Sequence, residues 1–171
     1  MPKLATVFLL LCSAVLVSCN GEPNAARQKR DTEQLPKCFS ILQKLRVEAY
    51  RNQDWCKNIV YQRGGFSKNK EATCNLGFRG TPLPFDGQAQ KDFDAVASAI
   101  ASTGVSLHFI NHFRYAADGK LVGAEFHLAG GPNRYSYVYS PGYTSLPRDE
   151  PHERVHTRIS KDWYYIWEDW N

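Results

Sequence analysis

The stretch VSLHFINHFRYAADGKLVGAEFHL, residues 105–128, decides the fold. Asp118-Gly119 lies near its centre, between two runs in which apolar and polar side chains alternate. Glycine adopts the positive φ that a type I′ turn requires, and Asp-Gly between alternating runs is a strong hairpin signal. The sequence therefore predicts a β-hairpin whose two-residue loop is Asp118-Gly119.

This loop sets the register of the hairpin, because Ala117 then faces Lys120 and the other pairs follow outward. One face is expected to carry the cross-strand pairs Tyr115–Val122, Phe113–Ala124, Asn111–Phe126 and Phe109–Leu128. The other face is expected to carry Arg114–Gly123, His112–Glu125 and Ile110–His127, with His108 beyond them.

Two amphipathic helices are predicted, over residues 38–53 and 87–103. The second begins after Asp86, a good N-cap, and ends before Gly104, where a left-handed C-terminal residue belongs. This helix feeds directly into the hairpin, so its apolar stripe is expected to cover one hairpin face. The stripe consists of Phe93, Val96, Ala97 and Ile100, and the covered face carries Val105, Leu107, Phe109, Phe113 and Tyr115.

Alternating or apolar patterns indicate further short strands. The segment 163–170 also fits a helical stripe, but its aromatic and β-branched content favours a strand. The expected fold class is α+β, with two helices packed on a mainly antiparallel sheet of about four to five strands built around the 105–128 hairpin. The other predicted strands span 58–62, 74–78, 134–140, 155–159 and 163–170, within one globular domain over 37–171.

The chain begins with a short apolar segment behind a basic residue. Lys3 precedes an uncharged run over 4–17, which has the length of a signal-peptide core and is too short to span a bilayer. The run ends in Leu16-Val17-Ser18-Cys19, which resembles the lipobox of bacterial lipoproteins. The resemblance implies that 1–18 is a signal peptide, and that Cys19 carries diacylglycerol on its sulfur and an acyl chain such as palmitate on its nitrogen.

Lipidation would hold the protein on a membrane of the cell envelope, with the domain facing the periplasm or the exterior. Asn20 follows the cysteine, which favours the outer membrane where there are two. Residues 19–36 are polar and indicate a flexible tether behind the lipidated residue. A competing interpretation is that residues 27–30, Arg-Gln-Lys-Arg, resemble a furin-type site, so that a secreted eukaryotic protein loses a propeptide after Arg30.

Composition bounds the function classes. A hydrophobic content of 43% and an aromatic content of 13% are typical of a globular domain. The formal charge of +4 is scattered, with no basic stripe of the kind that binds nucleic acid. The sequence contains no nucleophile elbow or phosphate loop, so we assign no catalytic residue and no cofactor.

The cysteines predict a disulfide in an exported chain. With Cys12 in the leader and Cys19 lipidated, Cys38, Cys56 and Cys74 remain. Cys38 and Cys56 flank the first predicted helix, which separates them by roughly 20 Å, whereas a disulfide needs Cα atoms within about 7 Å. Cys56–Cys74 is therefore the first choice and Cys38–Cys74 the second, and the odd thiol is expected to be a buried apolar group.

The polar face of the hairpin could gather metal ligands. His112, Glu125 and His127, with His108 diagonal to them, are expected about 5 to 7 Å apart, close enough to share zinc or copper. The alternative is an exposed His–Glu pair that binds nothing.

Two aromatic ladders could form a flat binding surface, since Tyr and Trp dominate interfaces. Alternatively, half of these rings complete the core. We expect a non-enzymatic binding or inhibitory role through this surface, towards an envelope protein or a cell-wall glycan. The ladders consist of Tyr135, Tyr137 and Tyr139, and of Trp163, Tyr165 and Trp167.

Overall fold

A computed structural model describes residues 21–69, 74, 80–130 and 134–169. Its strands form one antiparallel sheet in the order β3-β2-β1-β4-β5-β6-β8-β7. The helices are α1 Ala25–Gln34, α2 Phe39–Leu45 and α3 Gly87–Ala101, and a 3₁₀ segment, Leu35–Cys38, joins the first two. The strands are β1 Ala49–Gln53, β2 Cys56–Tyr61, β3 Gly64–Ser67, β4 Leu107–Tyr115, β5 Leu121–Leu128, β6 Arg134–Tyr139, β7 Arg154–Arg158 and β8 Trp163–Glu168.

The described sheet has eight strands, so the prediction of four to five strands is wrong. The sequence of β1, AYRNQ, is largely polar and carries no strand signal of its own. It becomes a strand because β2 pairs with it on one side and β4 on the other. Strand propensity depends on such neighbours more than on the residues themselves.

The helix predicted over 38–53 is too long, because α2 ends at Leu45. Arg46 adopts a left-handed conformation with φ 54°, and its backbone N–H donates to the carbonyl of Gln43. This cap turns the chain, and Ala49 starts a strand although it continues the helical spacing. The apolar residues Leu42 and Leu45 are buried as predicted.

Helix α1 corrects the prediction of a flexible tether over residues 25–36. The Asn24 side chain caps it by accepting the Arg27 N–H at 2.9 Å. Asp31 is only 4% exposed and accepts a hydrogen bond from the Tyr137 hydroxyl at 3.2 Å. The polar composition of this segment therefore belongs to a docked helix, and Leu35 behind it is fully buried.

Helix α3 confirms its prediction within two residues. The Asp86 carboxylate accepts the Ala89 N–H at 2.6 Å, and Gly104 is left-handed with φ 69°. Phe93 and Val96 of its stripe are buried, and the Phe93 ring lies 5.1 Å from that of Tyr50 in β1.

The hairpin forms where predicted, but its loop has three residues. The Ala116 N–H donates to the Lys120 carbonyl, and the Gly119 N–H donates to the Ala116 carbonyl, each at 2.9 Å. Tyr115 therefore pairs with Leu121 instead of Val122. A three-residue loop with a left-handed glycine is the next most common hairpin connection. Gly119, with φ 90°, occupies that position.

Register shifts in β4 overturn the predicted pairs, of which only Arg114–Gly123 is present among the described pairs. One shift spans His112, a non-glycine residue with φ 52°. Because a shift by one residue exchanges the two faces, Ile110 takes the core position opposite Phe126. Phe109 lies on the other face, which corrects its predicted place under the helix.

The core lies between this sheet and the helices. Side chains of six neighbouring strands form its central row, and each is 3% exposed or less. In sheet order they are Ile59, Tyr50, Ile110, Phe126, Tyr137 and Tyr165.

The predicted Cys56–Cys74 disulfide is confirmed, and Cys38 is a free, fully buried thiol. Of the predicted segment 163–170, residues 163–168 form a strand as preferred, and residue 170 lies outside the described residues. Strands β6 and β7 confirm two more predictions within one residue. The strand predicted over 74–78 lies outside the described residues except for Cys74. In the described part of the chain, no helix has the length and apolarity needed to cross a bilayer.

Candidate functional site

The sheet face opposite the core, here called the outer face, carries most of the chemistry. One residue from each strand forms a row across it. In sheet order this row is Ser67, Asn58, Arg51, Phe109, His127, Ser136, Ile166 and His156. A second row beside it consists of Asn111, Glu125, Val138, Tyr164 and Arg158.

A cleft of about 730 Å³ opens on the outer face, between strands β4–β8 and the loop over 140–150. This volume is within the range of small-molecule sites, roughly 300 to 1,000 Å³. Val138, Tyr164 and Ile166 give the cleft an apolar surface. The charged and polar lining includes His112, Arg114, Glu125, Tyr143, Arg148, Glu150, Arg154 and His156.

Arg114 lies flat over Gly123, its partner across the hairpin. A Cβ atom at Gly123 would stand 2.4 Å from the Arg114 Nε, so only glycine leaves room for this placement. The guanidinium donates to the Ser140 hydroxyl at 3.2 Å, and no described carboxylate pairs with it. The cleft therefore contains a positioned cation without a direct ion pair among the described residues, with the carboxylates of Glu125 and Glu150 elsewhere in its lining.

The loop that forms the cleft wall is tied to the sheet. Tyr143 donates through its hydroxyl to the carbonyls of Ser160 and Trp163, at 2.9 and 3.0 Å. Asp149 accepts the backbone N–H of His156 at 2.8 Å and lies 3.0 Å from its Nδ1. These bonds lower the pKa of the Asp149 carboxyl, the backbone bond most. The wall is thus held at both ends of the loop.

His127 and Glu125 lie in a buried network beside the cleft. His127 Nε2 is 3.0 Å from the Asn111 Oδ1 and 3.3 Å from Glu125, and its Nδ1 is 2.9 Å from the Ser136 hydroxyl. Burial lowers the pKa of His127 to about 3, with Arg134 the next contributor, so the ring is neutral. Burial likewise raises the pKa of Glu125. This arrangement fits the tautomer in which Nε2–H donates to the Asn111 Oδ1 and Nδ1 accepts a hydrogen bond from the Ser136 hydroxyl.

The structure brings the three predicted metal ligands together but does not arrange them as a metal site. Glu125 bridges His127 and His112, and the His112 Nε2 is 3.9 Å from its carboxylate. The predicted His112–Glu125 pairing is wrong, because Asn111 takes that register position. Both nitrogens of His127 already have partners, and the described residues contain no group of three ligands placed around one ion.

Ser136, His127 and Asn111 form a chain that resembles a nucleophile, base and orienting residue only in composition. Ser136 is 2% exposed and His127 is 8% exposed. A nucleophile must reach the substrate, and this hydroxyl does not. The three residues instead satisfy one another inside the sheet.

The predicted aromatic binding surface does not exist as an exposed surface. All six rings lie in or against the core, because α1 and α2 cover that face. Tyr137 bonds to Asp31 of α1, and Phe39 of α2 lies 4.8 Å from the ring of Tyr139. Tyr135, Tyr137, Trp163 and Tyr165 are buried, and Tyr139 and Trp167 are partly buried against the core.

The residues that sequence reasoning missed are those of the cleft wall and of β1. The Arg114–Gly123 pair was visible in the predicted register, and an arginine opposite a glycine is the signal that could have marked it. Tyr143 and Arg148 come from a loop without a motif. Comparison with protein-family models, curated proteins and solved structures finds no match to this chain.

Proposed function

We propose that this protein is a lipid-anchored binding protein of the cell envelope, whose cleft holds a small organic anion with an apolar body. The observation that carries the proposal is the Arg114 guanidinium, fixed over Gly123 without a described carboxylate partner, in a cleft that also offers an apolar surface. The role is binding, and no covalent step is involved.

The chemistry of the cleft supports this ligand class. A guanidinium binds carboxylate or sulfonate groups through charge-assisted hydrogen bonds. Arg148 adds a second positive charge, whereas the Arg154 charge is paired with Glu168. Tyr164 and Ile166 give the apolar part of the ligand a surface from which water is displaced. The anion would meet Arg114 while its body lies on these side chains.

The test measures binding of 8-anilinonaphthalene-1-sulfonate, an aromatic sulfonate, by fluorescence titration. Arg114→Gln is expected to weaken binding about tenfold or more, since hydrogen bonds to charged groups contribute about 1.5 to 3 kcal/mol. Gly123→Ala is expected to weaken it in the same way, because the new methyl group displaces the guanidinium while the charge remains.

Arg63→Gln is the matched control, because it removes one positive charge from Arg63, which pairs with Asp86 and does not line the cleft. It should leave the affinity unchanged. Near-ultraviolet circular dichroism of every variant separates binding in a folded cleft from binding to a loosened core. Equal affinity of the parent and the Arg114→Gln protein would reject the proposal.

The alternatives from the sequence have less support. A propeptide cut after Arg30 would fall within α1, next to Asp31, which is 4% exposed. The helix would have to unwind before a protease could bind that bond in an extended form. A zinc or copper module would require His127 to leave its hydrogen bonds to Asn111 and Ser136.

A further inference from the structure

Arg51 of β1 occupies the outer face away from the cleft and is held between aromatic rings. Its guanidinium carbon is 4.6 Å from the ring centre of Phe109 and 5.4 Å from that of Trp55. Phe109 in turn stacks on His127 at 3.8 Å. The four groups Trp55, Arg51, Phe109 and His127 thus form one continuous stack. Such stacking fixes the plane of a guanidinium and leaves its N–H edges available.

Among the described residues, no carboxylate forms an ion pair with Arg51. Its Nε and the Oδ1 of Asn58, the residue opposite it in β2, are both buried without a partner. Desolvating a charged donor without a partner costs free energy. Trp55 beside it is 52% exposed, although large apolar side chains are usually covered. An incompletely satisfied guanidinium therefore lies beside an exposed aromatic ring.

The neighbours of Arg51 are basic. Burial lowers the pKa of Arg51, and the charge of Arg134 lowers it further. Burial, followed by the charge of Arg51, lowers the pKa of His108. The same two arginines, with His108 and His112, also help to keep His127 neutral. Glu125, 3.3 Å from His127, is the acidic side chain that faces this group from β5. Arg134 and His108 therefore both lie within electrostatic range of Arg51.

We propose that Arg51, which pairs across the strands with Phe109, the residue after His108, forms a second binding site. This site takes the oxyanion group of a small solute: a carboxylate, a sulfate or a phosphate. The guanidinium would bind two oxygens side by side while Trp55 and Phe109 hold its plane. This site is separate from the cleft, because Arg51, Trp55 and His108 are not among the cleft residues.

The experiment follows the His108 and His127 imidazole signals by NMR during titration with sodium sulfate, sodium phosphate or sodium acetate. Sodium chloride at equal ionic strength is the reference, since salt alone screens repulsion between charges. A bound oxyanion should raise the pKa of His108 above its value in sodium chloride. The shift should saturate as expected for one binding site per chain. The relative affinities of the three salts show which oxyanion is preferred.

Arg51→Gln is expected to weaken oxyanion binding at least tenfold, and Arg51→Lys severalfold, because lysine keeps the charge but loses the planar fork. Arg46→Gln is the matched control: Arg46 also lies over a ring, that of Tyr115, without a described ion pair, but not beside His108. Trp55→Ala, at an exposed position, should weaken oxyanion binding a fewfold. This variant tests the site if the Arg51 variants do not fold.

Identical shifts with sulfate, phosphate, acetate and chloride would overturn the proposal, as would unchanged oxyanion affinity in Arg51→Gln. Binding of 8-anilinonaphthalene-1-sulfonate in the cleft should be unchanged in Arg51→Gln and weakened about tenfold or more in Arg114→Gln. The cleft proposal and the Arg51 proposal can therefore be rejected independently of each other.

Discussion

At the scale of single residues, His127 links the buried network to the stability of the fold. Its pKa in the folded state is about 3, below the ordinary value of about 6.5. Between these values the unfolded chain binds a proton that the folded chain does not. The contribution of neutral His127 to the free energy of unfolding is therefore fully present above about pH 6.5 and is lost as the pH falls towards the folded-state pKa. The pKa of Glu125 is raised, so its effect on stability has the opposite sign. Its contribution to the free energy of unfolding is lost as the pH rises above the ordinary pKa of a glutamate.

We predict that the free energy of unfolding decreases by up to about 1.4 kcal/mol per pH unit between about pH 6 and 4 because of His127. His127→Gln keeps a hydrogen-bond donor and an acceptor but does not titrate, so its slope should be shallower. Urea unfolding at several pH values measures this. His152→Gln, which changes an exposed histidine, should keep the parent slope. If the His127→Gln protein kept the parent slope, the pH dependence of stability could not be assigned to His127.

At the scale of elements, the β4–β5 turn shows how one position fixes a loop. Gly119 has φ 90°, a conformation that L side chains rarely adopt, and a Cβ atom there would stand 3.1 Å from an Arg46 nitrogen. We predict that Gly119→Ala destabilises the protein by about 1 to 2 kcal/mol in urea unfolding, because alanine is strained at positive φ.

Gly87→Ala is the matched control for the turn. Its φ is ordinary, nothing lies within 4 Å of a new Cβ atom, and it is the first residue of α3. This change should be neutral or slightly stabilising, since alanine is the better helix former. If both alanine variants lowered stability equally, the positive φ of Gly119 would not be the cause.

Predictions of helices and strands were correct where local sequence signals agreed with one another. They were wrong where pairing with distant strands determined the structure. Asp86, the stripe of α3 and Gly104 lie close in sequence and define one helix, which the structure confirms. Arg46 ends α2 in a left-handed conformation without a glycine to announce it. Similarly, the positive φ of His112 shifts a register that the alternation alone had set differently.

At the scale of the whole molecule, the first described residues pack against the domain, which limits how far a lipid on Cys19 could lie from it. Pro23 is fully buried, and the Tyr165 hydroxyl donates to Glu22 at 3.4 Å. Cys19 is two peptide bonds from Gly21, which is at most about 7 Å of extended chain. A lipid on Cys19 would therefore hold the domain directly at the bilayer instead of on a long tether.

The intact mass of the native protein tests this attachment. We expect a chain that begins at Cys19, with added diacylglycerol and acyl mass and two hydrogens fewer for the Cys56–Cys74 disulfide. A chain that begins at Asp31 would instead support cleavage after Arg30. Replacing Cys19 by serine should abolish the lipid mass and release the protein from membranes, whereas Cys38→Ser, at a buried free thiol, should keep both.

The sequence by itself determined the elements that local chemistry specifies: α3 with its cap, the presence of the 105–128 hairpin and the aromatic strands. These depend on residues a few positions apart. The sequence ranked the Cys56–Cys74 disulfide first but left Cys38–Cys74 open, and the structure decided between them. Only the tertiary structure decided that polar segments such as β1 and α1 are ordered, because their partners lie on distant parts of the chain. It also decided which face each ring occupies, since the register shift that spans His112 places a side chain such as Phe109 on the opposite face of the sheet.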